Sequence, residues 1–302
     1  MSAPARLRAA LDRGGLLVVP GVATALDARL AERAGFEVLF TTGAGIANIQ
    51  FGLPDLGLLS LTEVVEANRR IVDAVGAAII ADADTGYGNH LNVTRTVQEL
   101  EKAGVGGLVL EDQVTPKRCG HFDGKAVVPR HEMIEKLVAA RRARRDGDLV
   151  LVARTDAIAV EGFEAAVARA QAYAQAGADV VFVEAPTTPE QVAAIPSLVP
   201  APILLNVVEG GKTPSHAPAE LEALGYRIAL YANLALRMGA AAVGRAFATL
   251  HEERSSASLL GEMLTWEQRQ ATVGLPAWQA LDGAIATEAA EESARSADTG
   301  PA

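Results

Sequence analysis

The sequence predicts an α/β chain folded as a single (β/α)8 TIM-type barrel with extra helices at its C-terminal end, on three observations. Short apolar runs alternate with segments of helical period, and such alternation calls for a parallel sheet. There are eight strand-then-helix units, the number that closes a barrel. The 302 residues, 50% of them hydrophobic, leave room for a barrel of about 250 residues plus extensions. An open doubly wound sheet is the alternative, but Gly21-Val22-Ala23-Thr24-Ala25 lacks the glycine fingerprint expected after its first strand.

Residues 5–13 read as a short amphipathic helix closed by Gly14-Gly15, suited to plug the barrel floor. The first strand is 16–22 and its helix 24–34, with Gly35 as the stop. The second strand, 37–42, ends in Gly43-Ala44-Gly45, where a backbone could approach an anion closely. Residues 46–58 read as a long, functional loop containing Asp55, and helix 60–75 follows with Ser60 and Glu63 as a capping box. Strand 77–81 runs into Asp82-Ala83-Asp84-Thr85-Gly86-Tyr87-Gly88, helix 92–103 follows, and strand 107–110 runs into Glu111-Asp112-Gln113. After the next loop, Pro129 opens a helix to 145 whose last turns are arginine-rich, as the helix dipole favours. Four more strands, 149–153, 179–183, 203–205 and 227–231, alternate with helices 163–176, 189–198, 218–224 and 233–253.

The pattern changes after Ser255. Residues 259–264 and 266–285 read as further helices, the second interrupted at Gly274-Leu275-Pro276, and 289–302 read as disordered from their Ala, Glu, Ser, Asp and Gly content. The expected organisation is a catalytic barrel over 1–254, a helical extension over 255–288 and a tail. Leu259, Leu260, Leu275, Trp278 and Leu281 have no barrel of their own to cover and need another surface.

Charge and cysteine content narrow the function classes. Lys and Arg number 27 against 37 Asp and Glu, a net charge of -10, which argues against nucleic acid as a partner. One cysteine forms no internal disulfide, and the first residues lack the apolar core of a secretion signal, so a cytoplasmic location is expected. No run approaches the ~18 apolar residues of a membrane span.

That cysteine, Cys119, stands in Lys117-Arg118-Cys119-Gly120-His121, where nearby positive charge would stabilise a thiolate. In a barrel the C-terminal strand ends converge on the site. Here they carry Thr42 to Gly45, Asp82, Asp84, Glu111, Arg154, Asp156, Glu184 and Asn206. Asp82 and Asp84 point the same way at one strand end and repel unless a cation stands between them. Hard oxygen donors without a local His or Cys suit Mg2+, with Mn2+ as a substitute. The plainer reading has both aspartates satisfying backbone N–H groups in a turn. Arg154 and the Gly43-Ala44-Gly45 amides would bind substrate carboxylates; alternatively Arg154 pairs with Asp156 or Glu184.

At these residues the sequence resembles the isocitrate lyase and phosphoenolpyruvate mutase superfamily, over about residues 14–284. The motifs that carry the resemblance are Asp82 to Gly88, Glu111-Asp112-Gln113, Lys117 to His121 and Ala153-Arg154-Thr155-Asp156, and the cysteine form of the loop is similar to the lyase branch. The resemblance implies Mg2+ near Asp55, Asp82, Asp84 and Glu111, partly through water. It implies substrate contacts at Thr42, Gly43, Ala44, Cys119, Gly120, Arg154, Glu184 and Asn206, to which Arg237 on the eighth helix is added.

The implied reaction breaks the C2–C3 bond of a 2-hydroxy di- or tricarboxylate, leaving an α-keto acid such as pyruvate and a carboxylate. Cys119 would protonate the carbanion-like carbon, with His121, Lys117 and Arg118 tuning it. Phe40, Phe122-Asp123-Gly124 and the stretch from Asn206 to Pro214 look like the 2-alkylmalate and dimethylmalate lyases. The 2-methylisocitrate lyases, which release pyruvate and succinate, instead continue the loop with Arg-Pro-Asn and have an arginine near Trp266, where Arg269 lies close by. An oxaloacetate hydrolase or a phosphonopyruvate-type mutase or hydrolase would use the same carboxylates, and a non-catalytic barrel would show no Mg2+-dependent turnover. The resemblance also implies a homo-oligomer, a dimer or tetramer, with C-terminal helices swapped between subunits.

Overall fold

In the computed structural model, which describes residues 1–118, 120 and 124–298 with side chains as far as 295, eight parallel strands close a barrel in sequence order. The expectations for Cys119, His121, Phe122 and Asp123 lie outside the described residues, as do those for 299–302.

Helix α1 (Ala3–Asp12) precedes β1 (Leu17–Val22) and α2 (Ala25–Arg33). Next come β2 (Val38–Thr41), α3 (Gly43–Phe51), α4 (Leu61–Val72), β3 (Ala78–Asp82), α5 (His90–Lys102), β4 (Gly107–Glu111) and α6 (Arg130–Ala143). β5 (Val150–Thr155) leads to α7 (Ile158–Glu161) and α8 (Phe163–Gln175), and β6 (Val180–Val183) to α9 (Pro189–Leu198). β7 (Ile203–Asn206), α10 (Pro218–Leu224), β8 (Ile228–Tyr231) and α11 (Leu234–Glu253) complete the set, and β8 pairs with β1, Leu17 against Ile228.

Strand side chains alternate between two faces. One parity set, with Val38, Phe40, Ala78, Ile80, Val109, Val150, Val152, Val180, Phe182, Leu204, Ile228 and Leu230, forms the barrel interior. The other, with Leu39, Ile79, Leu108, Leu110, Leu151, Val181, Val183 and Leu205, packs under the helices. Helix α1 closes the floor as its amphipathic pattern predicts: Leu7 is fully buried in the interior cluster and contributes about 1.5–3 kcal/mol by leaving water. Gly107 makes room for it, since a Cβ there would stand 2.9 Å from the end of the Leu7 side chain.

The stretch expected as an uninterrupted loop over 46–58 begins as a helix. Thr42 caps α3 by accepting from the Gly45 N–H at 3.3 Å, Ile46 and Ala47 pack on Leu59, Val64 and Ala67, and Gly52 ends the helix at φ 66°. The capping box of Ser60 and Glu63 is present at α4. The long connection after β4 is stapled at its base: Val128 donates to the Asp112 carbonyl at 2.8 Å and Val114 to that of Ala126 at 2.9 Å.

The chain divides into two compact units, Met1–Ala242 and Val243–Ala302, with the division inside α11. The second unit holds a 3-10 turn (Ala257–Glu262), α12 (Trp266–Thr272) and α13 (Leu275–Asp298), the last continuing through ten residues of the stretch read from composition as a disordered tail. Within this unit Arg269 stacks on the Trp266 ring at 4.0 Å, and Phe247, Leu260 and Trp278 are each 68% exposed. Among the described residues no helix is long and apolar enough to cross a membrane.

Candidate active site

The site is the next layer of the inward parity set. Going up each strand by two, the apolar interior gives way to Thr42 after Phe40, Asp82 after Ile80, Glu111 after Val109, Arg154 after Val152, Glu184 after Phe182 and Asn206 after Leu204. A narrow cavity of about 40 Å³ opens there. Its polar side includes Thr42, Ala44, Asp55, Asp82, Lys117, Gly120, Arg154, Glu184 and Asn206. Phe40, Phe182, Leu230 and Ala232 form an apolar wall.

Asp82 accepts backbone N–H groups, from Gly43 through Oδ2 at 3.1 Å and from Asp84 through Oδ1 at 3.2 Å. The turn role set beside the metal role is therefore present in the structure. Asp84 has a left-handed backbone, φ 46°, which Asp tolerates better than most residues. Lys117 stands among these carboxylates, its ammonium bonded to Asp55 and 3.0 Å from Asp84 Oδ1. Burial raises the Asp84 pKa, and with Asp82 and Asp55 nearby it outweighs Lys117, leaving Asp84 pushed up to about 6. For Lys117, burial acts to lower the pKa, but Asp84, Glu111, Asp55 and Asp82 hold it well above the usual ammonium range.

Arg154 answers the other side. Its Nε and Nη2 form a two-pronged pair with Asp156 at 2.9 and 3.0 Å, Nη1 lies 3.3 Å from Glu111, and Nε lies 3.8 Å from Glu184. The guanidinium lies over the Phe182 ring, 5.2 Å from its centroid. The ion-pair reading of Arg154 is thus borne out, and the same side chain lines the cavity. Glu111 is 2% exposed; burial drives its carboxyl well above the ordinary range despite Arg154, and its Oε1 has no hydrogen-bond partner among the described residues.

Six carboxylates, those of Asp55, Asp82, Asp84, Glu111, Asp156 and Glu184, surround three cations, Lys117, Lys125 and Arg154. The surplus of negative charge, the all-oxygen donor set and the unpartnered Glu111 Oε1 fit a hard divalent cation. Among the described residues no three carboxylate or imidazole side chains form a ready-made chelate, and the Lys117 ammonium takes the position between Asp55 and Asp84.

The structure places three of the expected site groups as follows. The amides of Gly43 and Gly45 are turned to Asp82 and to the Thr42 hydroxyl, because helix α3 starts there, and Ala44 lines the cavity. Arg237 does not line the cavity; it is exposed and donates to the Glu209 carbonyl at 2.6 Å. Arg118 is exposed, with its backbone locked to the Gln113 side chain at 2.9 and 2.8 Å. Phe182, Leu230, Ala232, Asn233 and Lys125 were not assigned from sequence. Phe182 carries a readable signal, since it precedes Glu184 by one strand repeat, whereas Lys125 follows a turn glycine and reads as surface.

A family model described as phosphoenolpyruvate phosphomutase matches residues 7–251. The chain is 41% identical to 2,3-dimethylmalate lyase of Eubacterium barkeri, over 91% of this chain and 95% of that one. It is 42% identical to 2-methylisocitrate lyase of Escherichia coli (strain K12), over 85% and 88%. Among solved structures, oxaloacetate acetylhydrolase with the inhibitor 3,3-difluorooxalacetate superposes with TM-score 0.90 at 36% identity, covering 94% of this chain and 97% of that one. Phosphonopyruvate hydrolase with oxalate and Mg2+ superposes with TM-score 0.85 at 32% identity, covering 94% and 99%. Closed barrel, polar strand ends and these matches agree: the chain belongs to the phosphoenolpyruvate mutase/isocitrate lyase superfamily.

Proposed function

We infer that the chain is a carbon–carbon lyase that cleaves a 2-alkylmalate-type 2-hydroxy carboxylate to an α-keto acid such as pyruvate and a second carboxylate. The observation that carries this reading is the make-up of the cavity, lined by Arg154 and a carboxylate cluster and, from the barrel interior, by Phe40, Phe182, Leu230 and Ala232. Arg154 offers a planar cation to a substrate carboxylate, and the wall takes an alkyl substituent. The named relatives and neighbours act on this class of compound or on a close one.

Asp55, Asp82, Asp84 and Glu111 are the residues that would hold Mg2+, with Mn2+ as a substitute. When bound, it supplies Lewis-acid stabilisation of charge on the oxygen that becomes the keto group. The chain's own groups do the rest. The carboxylates of the mouth are acceptors for the 2-hydroxyl proton, and Arg154 fixes a carboxylate so that the C2–C3 bond is aligned for cleavage. The electron pair of that bond passes to C3, and Cys119 delivers a proton to that carbon. Lys117, Arg118 and His121 keep the surroundings positive and steady the departing carboxylate.

A coupled assay for pyruvate release tests the reading across 2-alkylmalates, 2-methylisocitrate, oxaloacetate and phosphonopyruvate, with and without Mg2+. Mg2+-dependent cleavage of alkylmalates is expected, and Cys119→Ser should lower it by about 10²- to 10⁴-fold, the weight of one general acid. Turnover of phosphonopyruvate alone would overturn the lyase assignment. The 42% identity to a 2-methylisocitrate lyase favours the tricarboxylate as the second substrate reading. Against it, the cations that line the cavity among the described residues are Lys117 and Arg154, and both are already paired with carboxylates. The exposed Phe247, Leu260, Trp266 and Trp278 support assembly as a dimer or tetramer through the C-terminal helices; a single-chain mass in light scattering would exclude it.

A further inference from the structure

Lys125 reaches inward from the second limb of the loop after β4, and its side chain is 1% exposed. The ammonium donates to the Gly120 carbonyl and, at 2.9 Å, to Asp156 Oδ1. The same Oδ1 accepts from Arg154 Nη2 at 3.0 Å, and Oδ2 accepts from Arg154 Nε at 2.9 Å. Gly120 lies against that guanidinium so closely that a Cβ on it would stand 2.5 Å from Nη2. One ammonium therefore joins a backbone segment at the cavity edge, the carboxylate that orients Arg154 and, through it, Arg154 itself.

The arrangement has an electrostatic consequence. A buried carboxylate facing a single cation draws that cation fully to itself, whereas one facing two divides its charge between them. Asp156 is fully buried and faces two. The Nε and Nη2 edge of Arg154 is fixed on Asp156, and Nη1 faces Glu111 at 3.3 Å. The Gly120 carbonyl, engaged by Lys125, is not offered to an incoming anion.

We propose that Lys125 is a positioning residue for substrate-carboxylate binding: by sharing Asp156 with Arg154 and engaging the Gly120 carbonyl, it keeps the guanidinium in its binding orientation. The proposal deepens the lyase reading and rests on its assignment of Arg154 to a substrate carboxylate. Lys125 itself touches no reacting atom.

The test uses the full chain, with oxalate as the carboxylate probe, titrated calorimetrically at saturating Mg2+ into the unaltered protein and into Lys125→Met, Lys125→Gln and Lys125→Arg. Met and Gln should weaken oxalate by on the order of 10- to 10²-fold, the usual effect of loosening a group that aligns a binding residue, and Arg should recover most of the loss. Mg2+ affinity without oxalate should be the same in all four. In turnover of an alkylmalate, the loss should fall on KM more than on kcat, which a general loss of folded protein would not produce. If Lys125→Met does not fold, Gln against Arg carries the comparison, since both can donate to Gly120 and only Arg keeps the charge. Equal oxalate affinity in every folded variant overturns the role of Lys125 alone. Absence of oxalate binding by the unaltered chain overturns this role and the carboxylate site together, whereas oxalate binding without turnover of any 2-hydroxy acid overturns only the lyase reading.

Discussion

The hydroxyl groups of Thr85 and Thr115 lie 2.7 Å apart, joining the turn that carries Asp84 to the limb that carries Lys117. The two ends of this bond are unlike. Thr85 is 3% exposed, whereas Thr115 lies at the surface. Thr115→Val should therefore cost more than Thr85→Val, because it strands a buried hydroxyl at about 1–3 kcal/mol while the reverse change leaves Thr115 free to bond water. Urea unfolding of the two variants reads the difference.

Arg154 holds together Asp156, Glu111 and Glu184, all buried. Arg154→Met should destabilise the chain by about 3–5 kcal/mol, because it leaves buried carboxylates without their cation. Arg154→Lys keeps the charge but loses the two-pronged geometry, so it should remain folded and bind oxalate more weakly. Thermal unfolding and oxalate titration, run side by side, separate the two effects.

Chelation should abolish alkylmalate cleavage, with Mg2+ restoring it. Lys117 pairs with Asp55 and Asp84, two of the carboxylates that would hold the metal. Lys117→Met should accordingly bind Mg2+ more tightly in calorimetry, by removing a competing cation, and turn over more slowly, by losing a substrate-side charge. Weaker Mg2+ binding in this variant would contradict the shared use of these carboxylates.

The apolar wall should set the alkyl preference. Leu230→Ala enlarges the space beside Ala232 and should shift kcat/KM toward longer 2-alkyl chains, while Ala232→Leu should shift it toward shorter ones. About 10- to 200-fold per methylene is the range that a hydrophobic pocket commands. Competition assays with paired alkylmalates measure the ratio directly.

The barrel was legible because its strands obey period two and its helices period 3.6, and those periods survive the details of packing. The inward layer of Asp82, Glu111, Arg154, Glu184 and Asn206 was legible for the same reason, as polar residues that continue an apolar parity set. Helix α3 was not, because Gly43 and Gly45 are poor helix formers and the packing of Ile46 and Ala47 decides the matter. The contact of Arg237 with the Glu209 carbonyl joins positions far apart in the chain and leaves no local pattern either. Burial of Lys125 and Asp55 depends on each finding an opposite charge from a distant loop, and such pairings leave no local pattern.

The division of every strand into two parity sets separates what this chain can change from what it must keep. Exchanging a side chain beneath the helices alters how firmly the scaffold stands and leaves the chemistry alone. Exchanging one at the upper inward rim alters which molecule is accepted while the floor sealed by Leu7 stays intact. On such a plan substrates can shift through a few rim positions without refolding, which suits a scaffold that a 2,3-dimethylmalate lyase and a phosphonopyruvate hydrolase both share.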